Sequence, residues 1–334
     1  MSRIAVVGAG SWGTALAVHL GRIGHGVRLW VREPDLAAAM RVRRVNDVFL
    51  PGIVLPSSVR CFGRLDETLE GAEFVVLAVP SHGLRGVLKD AGPLVPLSAV
   101  LVSAAKGLEI DTLLRMSEVL EQELGGERQV VVLSGPSFAA EVARELPTAV
   151  SVASADLAAA EQVQREFRGR LFRIYATTDV VGVEIGAALK NVIAIAAGVV
   201  EGLELGHNVQ AALITRGLVE ISRLACALGG RRETLAGLAG LGDLVLTCTG
   251  SLSRNRSVGV ELGRGRRLDD ILAGMQMVAE GINTTGAALA LGARHGVELP
   301  IAAQMADVLA GRCGPREAVE TLMLRPQRIE ADSR

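Results

Sequence analysis

The stretch Ile4-Ala5-Val6-Val7-Gly8-Ala9-Gly10-Ser11-Trp12-Gly13-Thr14-Ala15 decides the first half of the fold. A short β-branched run enters a glycine-rich turn, and a helical segment, Thr14 to Arg22, follows at once. Three glycines at this spacing allow a tight turn, close approach of backbone to a pyrophosphate, and close packing of helix on strand, while the helix N-terminus attracts phosphate. The pattern G-x-G-x-x-G is weak by itself, and a purely structural turn would satisfy it. The strand-turn-helix context makes it a dinucleotide site, with Gly8, Gly10 and Gly13, and the intervening Ser11 and Trp12, as candidate cofactor contacts.

The end of the second strand separates NAD from NADP, because an acid there binds a ribose 2′-hydroxyl and an arginine accommodates a 2′-phosphate. Here the chain reads Trp30-Val31-Arg32-Glu33-Pro34. Arg32 favours NADPH, and the adjacent Glu33 leaves NADH open. After the third long strand, Val79-Pro80-Ser81 is either a turn that skirts the nicotinamide ribose or a plain strand ending.

Outward from that motif, short apolar runs alternate with helical segments: Ile4–Val7, Val27–Val31, Phe74–Val79, Val100–Ser103, Val130–Ser134 and Ala149–Ala153. Near-continuous apolar strands imply a mostly parallel sheet covered on both faces. The longer excursion between Val31 and Phe74, with Leu50-Pro51-Gly52 and Leu55-Pro56, reads as a helix followed by turns that cap one edge. From about Val180 the periodicity is helical, as in Val183–Val200, Ala211–Leu228, Leu268–Met275 and Thr284–His295. The expected fold is α/β: a Rossmann-like, doubly wound N-terminal domain over residues 1–180, then an all-helical C-terminal domain over 181–330, hinged near Thr177 to Val181.

Length and composition agree. The 334 residues suit two cores, and 49% apolar with 21% charged residues is globular composition. The longest apolar stretch, Val180 to Val200, contains Glu184, Lys190 and Asn191, so a buried helix is expected and no integral membrane segment. A net charge of -1 without long basic runs argues against nucleic acid. Cys61, Cys226, Cys248 and Cys313 are widely spaced with no CxxC, which points to reduced thiols rather than disulfides or zinc. No basic-then-apolar leader precedes the first strand, so a cytoplasmic protein is expected.

Lysine usage narrows the chemistry. Only Lys89, Lys106 and Lys190 occur, against 32 arginines. A lysine kept in such a background marks a place that needs a compact ammonium able to lose its proton, which a guanidinium cannot supply. Lys190 lies mid-helix in an apolar stretch, where burial favours the neutral amine; the alternative is a lysine that snorkels to the surface. Lys106 follows strand Val100–Ser103, at the sheet edge where open α/β proteins bind ligands. The five histidines, His19, His25, His82, His207 and His295, are isolated and form no acid/base or metal pair.

Five blocks in order resemble the glycerol-3-phosphate dehydrogenase family: Gly8 to Ala15, Ala105-Lys106-Gly107-Leu108-Glu109, Gly135-Pro136-Ser137-Phe138-Ala139-Ala140-Glu141-Val142, Ala188-Leu189-Lys190-Asn191-Val192, and Gly240-Leu241-Gly242-Asp243-Leu244 with Ser253-Arg254-Asn255-Arg256. The resemblance implies reduction of dihydroxyacetone phosphate to sn-glycerol 3-phosphate with NADPH, or NADH, feeding glycerophospholipid synthesis. A homodimer is expected, and, from the cysteine and histidine spacing, no metal. The resemblance assigns Lys190 as acid/base, Lys106 as a contact to substrate and cofactor, and Asp243 as the residue that orients the lysine, with Thr247 a possible partner. Helix capping would also explain Asp243.

By the same resemblance Ser253, Arg254 and Asn255 clamp the substrate phosphate, Arg254 also touching the cofactor, while Arg256 is left to the surface. Gly135 and Ser137 become substrate contacts, and Ala139, Val278 and Glu280 cofactor contacts. His207 stands where the family commonly has an acidic residue, a departure confined to loop detail. Two other readings compete: a lysine-dependent ketopantoate or β-hydroxyacid reductase, and a non-catalytic NADPH sensor. The first binds carboxylate, against the clamp; the second leaves Lys190, Lys106 and Asp243 without a purpose.

Overall fold

Ten strands and sixteen helices were located in a computed structural model that describes residues 1–126, 128–275, 279–327 and 329. The strands are β1 (Arg3–Val7), β2 (Gly26–Trp30), β3 (Val45–Asn46), β4 (Leu50–Val54), β5 (Val59–Phe62), β6 (Phe74–Leu77), β7 (Val100–Ser103), β8 (Val130–Ser134), β9 (Thr148–Ala153) and β10 (Phe172–Thr177). Between and after them run α1 (Ser11–Arg22), α2 (Pro34–Arg43), α3 (Leu65–Leu69), α4 (Leu84–Ala91), α5 (Met116–Leu124), α6 (Ala139–Ala143) and α7 (Leu157–Phe167). The remaining helices are α8 (Val180–Gly202), α9 (His207–Ala227), α10 (Arg232–Ala236), α11 (Asp243–Thr249), α12 (Arg254–Gly263), α13 (Leu268–Ala273), α14 (Glu280–Arg294), α15 (Pro300–Leu309) and α16 (Pro315–Met323). The chain divides into two compact units. One comprises Met1–Lys106 and Arg115–Val180, the other Gly107–Leu114 and Val181–Arg334.

The first unit is an eight-stranded sheet in the order β10-β9-β8-β7-β6-β1-β2-β5. Its segment β5-β2-β1-β6-β7-β8 is the Rossmann order 3-2-1-4-5-6, and only β9 runs antiparallel to its neighbour β8. β6 and β7 are buried at every position, the mark of strands covered on both faces. Phe74 and Phe167 meet edge to face in this core, with ring centroids 5.6 Å apart.

Two parts of the sheet depart from the expectation. The excursion after Val31 does begin as a helix, α2, but its turns carry the antiparallel pair β3–β4 and then β5, which extends the sheet beside β2. β10, absent from the expected strands, closes the opposite edge. Both are edge strands that alternate buried with exposed residues, such as Arg60 and Arg173, so neither shows the continuous apolar run that betrays a central strand.

The second unit is helical, and no strand occurs in residues 181–334 among those described. α8 is its axis. By length and composition it could cross a membrane, but 89% of its most apolar window is buried within the protein, and it is buried continuously from Gly182 to Val200. A helix apolar on all sides is a core helix once other helices surround it. α12 lies almost backbone to backbone against it: a Cβ on Gly198 would stand 2.0 Å from the Arg256 carbonyl oxygen, and one on Gly259 1.9 Å from that of Ile195. Glycines on both helices thus fix the start of α12 relative to the lysine carried by α8.

Candidate active site

β1, β2, β6, β7 and β8 are mutually parallel, so the loops after them open at one edge of the sheet. That edge gathers the glycine-rich turn, Arg32, Ser81, Lys106 and Gly135, within the first unit. Gly8 has φ +112°, and a Cβ there would lie 2.8 Å from the Ala78 carbonyl oxygen. On Gly13 it would lie 1.9 Å from the oxygen of Gly8, so α1 starts directly against the turn. A Cβ on Gly10, by contrast, meets nothing within 4 Å. Gly10 is also the N-cap of α1 and supplies no side-chain cap, so the helix start keeps open space and uncapped polarity for an anion.

The Trp12 indole Nε1 is buried with no hydrogen-bond partner among the described residues, as expected of a donor held for a ligand. Ser11, the first residue of α1, is half-buried beside it. These features fit a dinucleotide. Arg32 is exposed and its guanidinium lies 3.1 Å from the Glu33 carboxylate. Such a solvated pair is weak and opens readily. Val79-Pro80-Ser81 enters a single 3₁₀ turn, Ser81–Gly83.

Lys106 is half-buried, and its Nζ donates to the Gly135 carbonyl at 3.0 Å. The Ser137 hydroxyl donates to the same oxygen at 2.9 Å, so these three residues form one cluster. Gly135 takes φ +134°, where a Cβ would press to 2.9 Å from the Val150 Cα. Ala139 opens α6 and packs on the core that also receives Trp12.

In the second unit Lys190 is buried on α8. Its Nζ donates to Asp243 Oδ1 at 2.7 Å and to the Thr247 hydroxyl at 2.9 Å. Thr247 passes its own proton to the Asp243 carbonyl at 2.6 Å, so all three groups are oriented. Side-chain exposure is 7% for the lysine and 1% for the aspartate. The alternative of a snorkelling lysine is therefore overturned, and the buried Nζ faces a buried carboxylate partner. Asp243 is placed by a π-type turn, Leu238–Gly242, that runs into α11. Cys248, next to Thr247, is fully buried, and burial pushes its thiol up to about 12, leaving it chemically inert.

The start of α12 brings together Ser253, Arg254, Asn255 and Arg256. Ser253 is the N-cap, its hydroxyl accepting from the Arg256 N–H at 3.3 Å. Arg254 stands exposed at the first helical position. Partial desolvation lowers the pKa of its guanidinium, the nearby Glu280 carboxylate opposes this, and it stays charged regardless. The Asn255 side chain is committed largely within the protein: Nδ2 donates to Asn191 Oδ1 at 3.0 Å and Oδ1 accepts from the Gly281 N–H at 2.9 Å. Arg256 is only partly at the surface, with 16% side-chain exposure and an ion pair with Glu201 on α8. Glu280 opens α14, and Val278 lies outside the described residues.

Sequence reasoning missed Asn46 and Asn191. Asn191 offered a signal, a second polar residue beside Lys190 in an apolar helix; Asn46 falls in the excursion after Val31 and carries no such signal. His19 and His25 bond the Phe167 and Glu166 carbonyls at 2.7 Å each, and so hold the end of α7. Among the described residues no cluster of His, Cys, Asp and Glu could hold a metal.

A Rossmann sheet with a glycine-rich phosphate turn, joined to a helical unit with a buried, oriented ammonium, defines a nicotinamide-dependent oxidoreductase. Residues 3–160 match the N-terminal part, and residues 179–320 the C-terminal part, of NAD-dependent glycerol-3-phosphate dehydrogenase. A glycerol-3-phosphate dehydrogenase (NAD(P)+) of Koribacter versatilis is 57% identical over 286 residues, 84% of this chain and 85% of its own. One from Syntrophotalea carbinolica is 53% identical over 98% of this chain and 99% of its own. The crystal structure of glycerol-3-phosphate dehydrogenase from Coxiella burnetii is similar at a TM-score of 0.93 and 41% identity, over 97% of this chain and 99% of that one. The chain belongs to the NAD-dependent glycerol-3-phosphate dehydrogenase family. It is an enzyme that uses NAD(P), which decides against the non-catalytic sensor, and its family decides against the ketopantoate or β-hydroxyacid reductase.

Proposed function

We propose that Lys190 is the proton donor and acceptor with which the chain interconverts dihydroxyacetone phosphate and sn-glycerol 3-phosphate, a reading carried by the buried Lys190–Asp243–Thr247 cluster. NAD(P)H, when bound, supplies a hydride to the carbonyl carbon. Lys190 gives one proton to the carbonyl oxygen, becoming a neutral amine, and takes it back when the alcohol is oxidised. Asp243 and Thr247 fix the direction of Nζ, and the carboxylate keeps the proton loaded until a strongly basic alkoxide develops.

The glycine-rich turn with Ser11 and Trp12 would hold the dinucleotide pyrophosphate, and Ala139, Glu280 and Val278 further parts of the cofactor. Arg32 and Glu33 explain use of both nicotinamides: the guanidinium serves a 2′-phosphate and the carboxylate a 2′-hydroxyl, with the arginine tilting the balance to NADPH. Arg254 and the start of α12 would grip the substrate phosphate. Ser253 and Asn255 act there mainly by shaping that helix start, and Lys106, Gly135 and Ser137 complete the substrate contacts. Four unpaired cysteines suit a reducing cytoplasm, and exposed Leu241, Val245 and Leu252 offer surface for a homodimer. The product is a building block for glycerophospholipids.

Lys190→Met tests the assignment. It strands the Asp243 carboxylate in the core, so the single variant should fold less stably, and Lys190→Met with Asp243→Asn should recover stability. Both should lose roughly 10²-fold to 10⁴-fold in turnover. A stable double variant with more than about half of wild-type turnover would remove Lys190 from the reaction.

A further inference from the structure

The β3–β4 excursion ends in contacts with both ends of α1. At the far end, the Ser58 hydroxyl donates to the Gly21 carbonyl at 2.8 Å. At the near end stands Asn46, fully buried. Its Nδ2 donates to the Ala9 carbonyl at 2.8 Å and to the Thr14 hydroxyl at 2.9 Å, and its Oδ1 accepts from the Phe49 N–H at 3.1 Å. Thr14 adds a second bond to the Ala9 oxygen at 3.2 Å. Arg44 ties the other side of the excursion to the approach of β5 through the carbonyls of Val59 and Leu55 at 2.8 and 3.2 Å, and that of Pro56.

Ala9 lies between the first two glycines of the phosphate turn, where the backbone has most freedom. A trans peptide is planar with its C=O and N–H opposed. Holding the Ala9 oxygen therefore fixes the direction of the Gly10 N–H, at the open start of α1. We propose that Asn46 is a positioning residue for cofactor binding: it presets the phosphate turn, so that a dinucleotide finds the donors already aimed. This rests on the reading of that turn as the dinucleotide site. It concerns the pyrophosphate, common to both nicotinamides, and so differs from the discrimination by Arg32.

The test measures equilibrium binding of NADPH and of NADH to the full chain by calorimetry, with saturated turnover and the Michaelis constant for dihydroxyacetone phosphate alongside. Asn46→Ala and the isosteric Asn46→Asp, which lacks the amide donors, should weaken NADPH and NADH by the same factor, roughly tenfold. Saturated turnover and the triose phosphate constant should stay within about twofold of wild type. Thr14→Val should reproduce part of the loss and Thr14→Ser should not, which keeps the test available if Asn46 variants fold poorly. Arg32→Ala, the contrast, should weaken NADPH alone. A lowered melting temperature with unchanged affinity would make Asn46 merely structural and overturn the proposal, as would a loss confined to turnover or to one nicotinamide. Wild-type protein that binds neither dinucleotide would overturn the site itself; wild type that binds both, with variants equal to it, overturns only the role of Asn46.

Discussion

Asp243→Asn separates the two directions of the reaction. The substitution keeps the shape of the side chain beside Lys190 but removes the charge that offsets a buried ammonium. With 7% and 1% of the two side chains exposed, solvent cannot replace the lost partner. Breaking such a pair from one side costs roughly 3–5 kcal/mol, and the amine can escape that cost by shedding its proton. The variant should fold, because domains of ordinary stability hold roughly 5–15 kcal/mol in reserve, but should melt lower. A neutral amine has no proton to give, so reduction of dihydroxyacetone phosphate near pH 7 should fall by roughly 10²-fold or more. Acid restores the ammonium, so the reduction optimum should move to lower pH than in wild type. Oxidation of glycerol 3-phosphate needs the neutral amine and should suffer less, its active range extending further to acid. The assay is NADPH loss or NADPH formation across the pH range at saturating substrate, with cofactor affinity measured separately. Equal losses in both directions with an unmoved pH profile would refute the claim that Asp243 governs the protonation of Lys190.

Arg254→Ala should cost on the order of 2–5 kcal/mol in kcat/KM for dihydroxyacetone phosphate and change the weak reduction of dihydroxyacetone little, while Arg254→Lys should fall between; equal damage to both substrates at unchanged cofactor affinity removes Arg254 from the phosphate. Glu220 accepts backbone N–H groups of Ile301 and Ala302 at the start of α15, yet burial pushes its carboxyl up to about 7, with Arg216 and Arg325 opposing. Since the folded protein keeps this proton longer than the unfolded chain, stability should decline as pH rises from about 4.5 through about 7, by roughly 3 kcal/mol. Glu220→Gln should remove that slope in denaturant unfolding series, and identical slopes for both proteins would discard the assignment.

What the sequence disclosed follows from how each signal arises. β1, β6, β7 and β8 were legible because burial on both faces demands continuous apolar runs, whereas β5 and β10 hide behind the exposed Arg60 and Arg173 of edge strands. The glycine-rich turn was legible because local backbone needs fix its residues. Lys190 and Lys106 stood out because lysine is scarce. Asn46 was not legible, since its partners lie 37 and 32 residues away and only the folded excursion brings them together. Asn255 was legible as a candidate phosphate contact, whereas its ties to Asn191 and to Gly281, 64 and 26 residues away, emerge only in the fold. The tie of Arg256 to Glu201 was hidden for the same reason, since Glu201 lies on another helix.

The central claim, a phosphate-directed ketone reduction driven by NAD(P)H, is met most directly by following NADPH absorbance after dihydroxyacetone phosphate is added to the pure protein. The account predicts stoichiometric loss of NADPH with formation of sn-glycerol 3-phosphate, slower loss with dihydroxyacetone, and none with ketopantoate. Absence of oxidation with dihydroxyacetone phosphate, together with brisk oxidation by a keto acid, would contradict it.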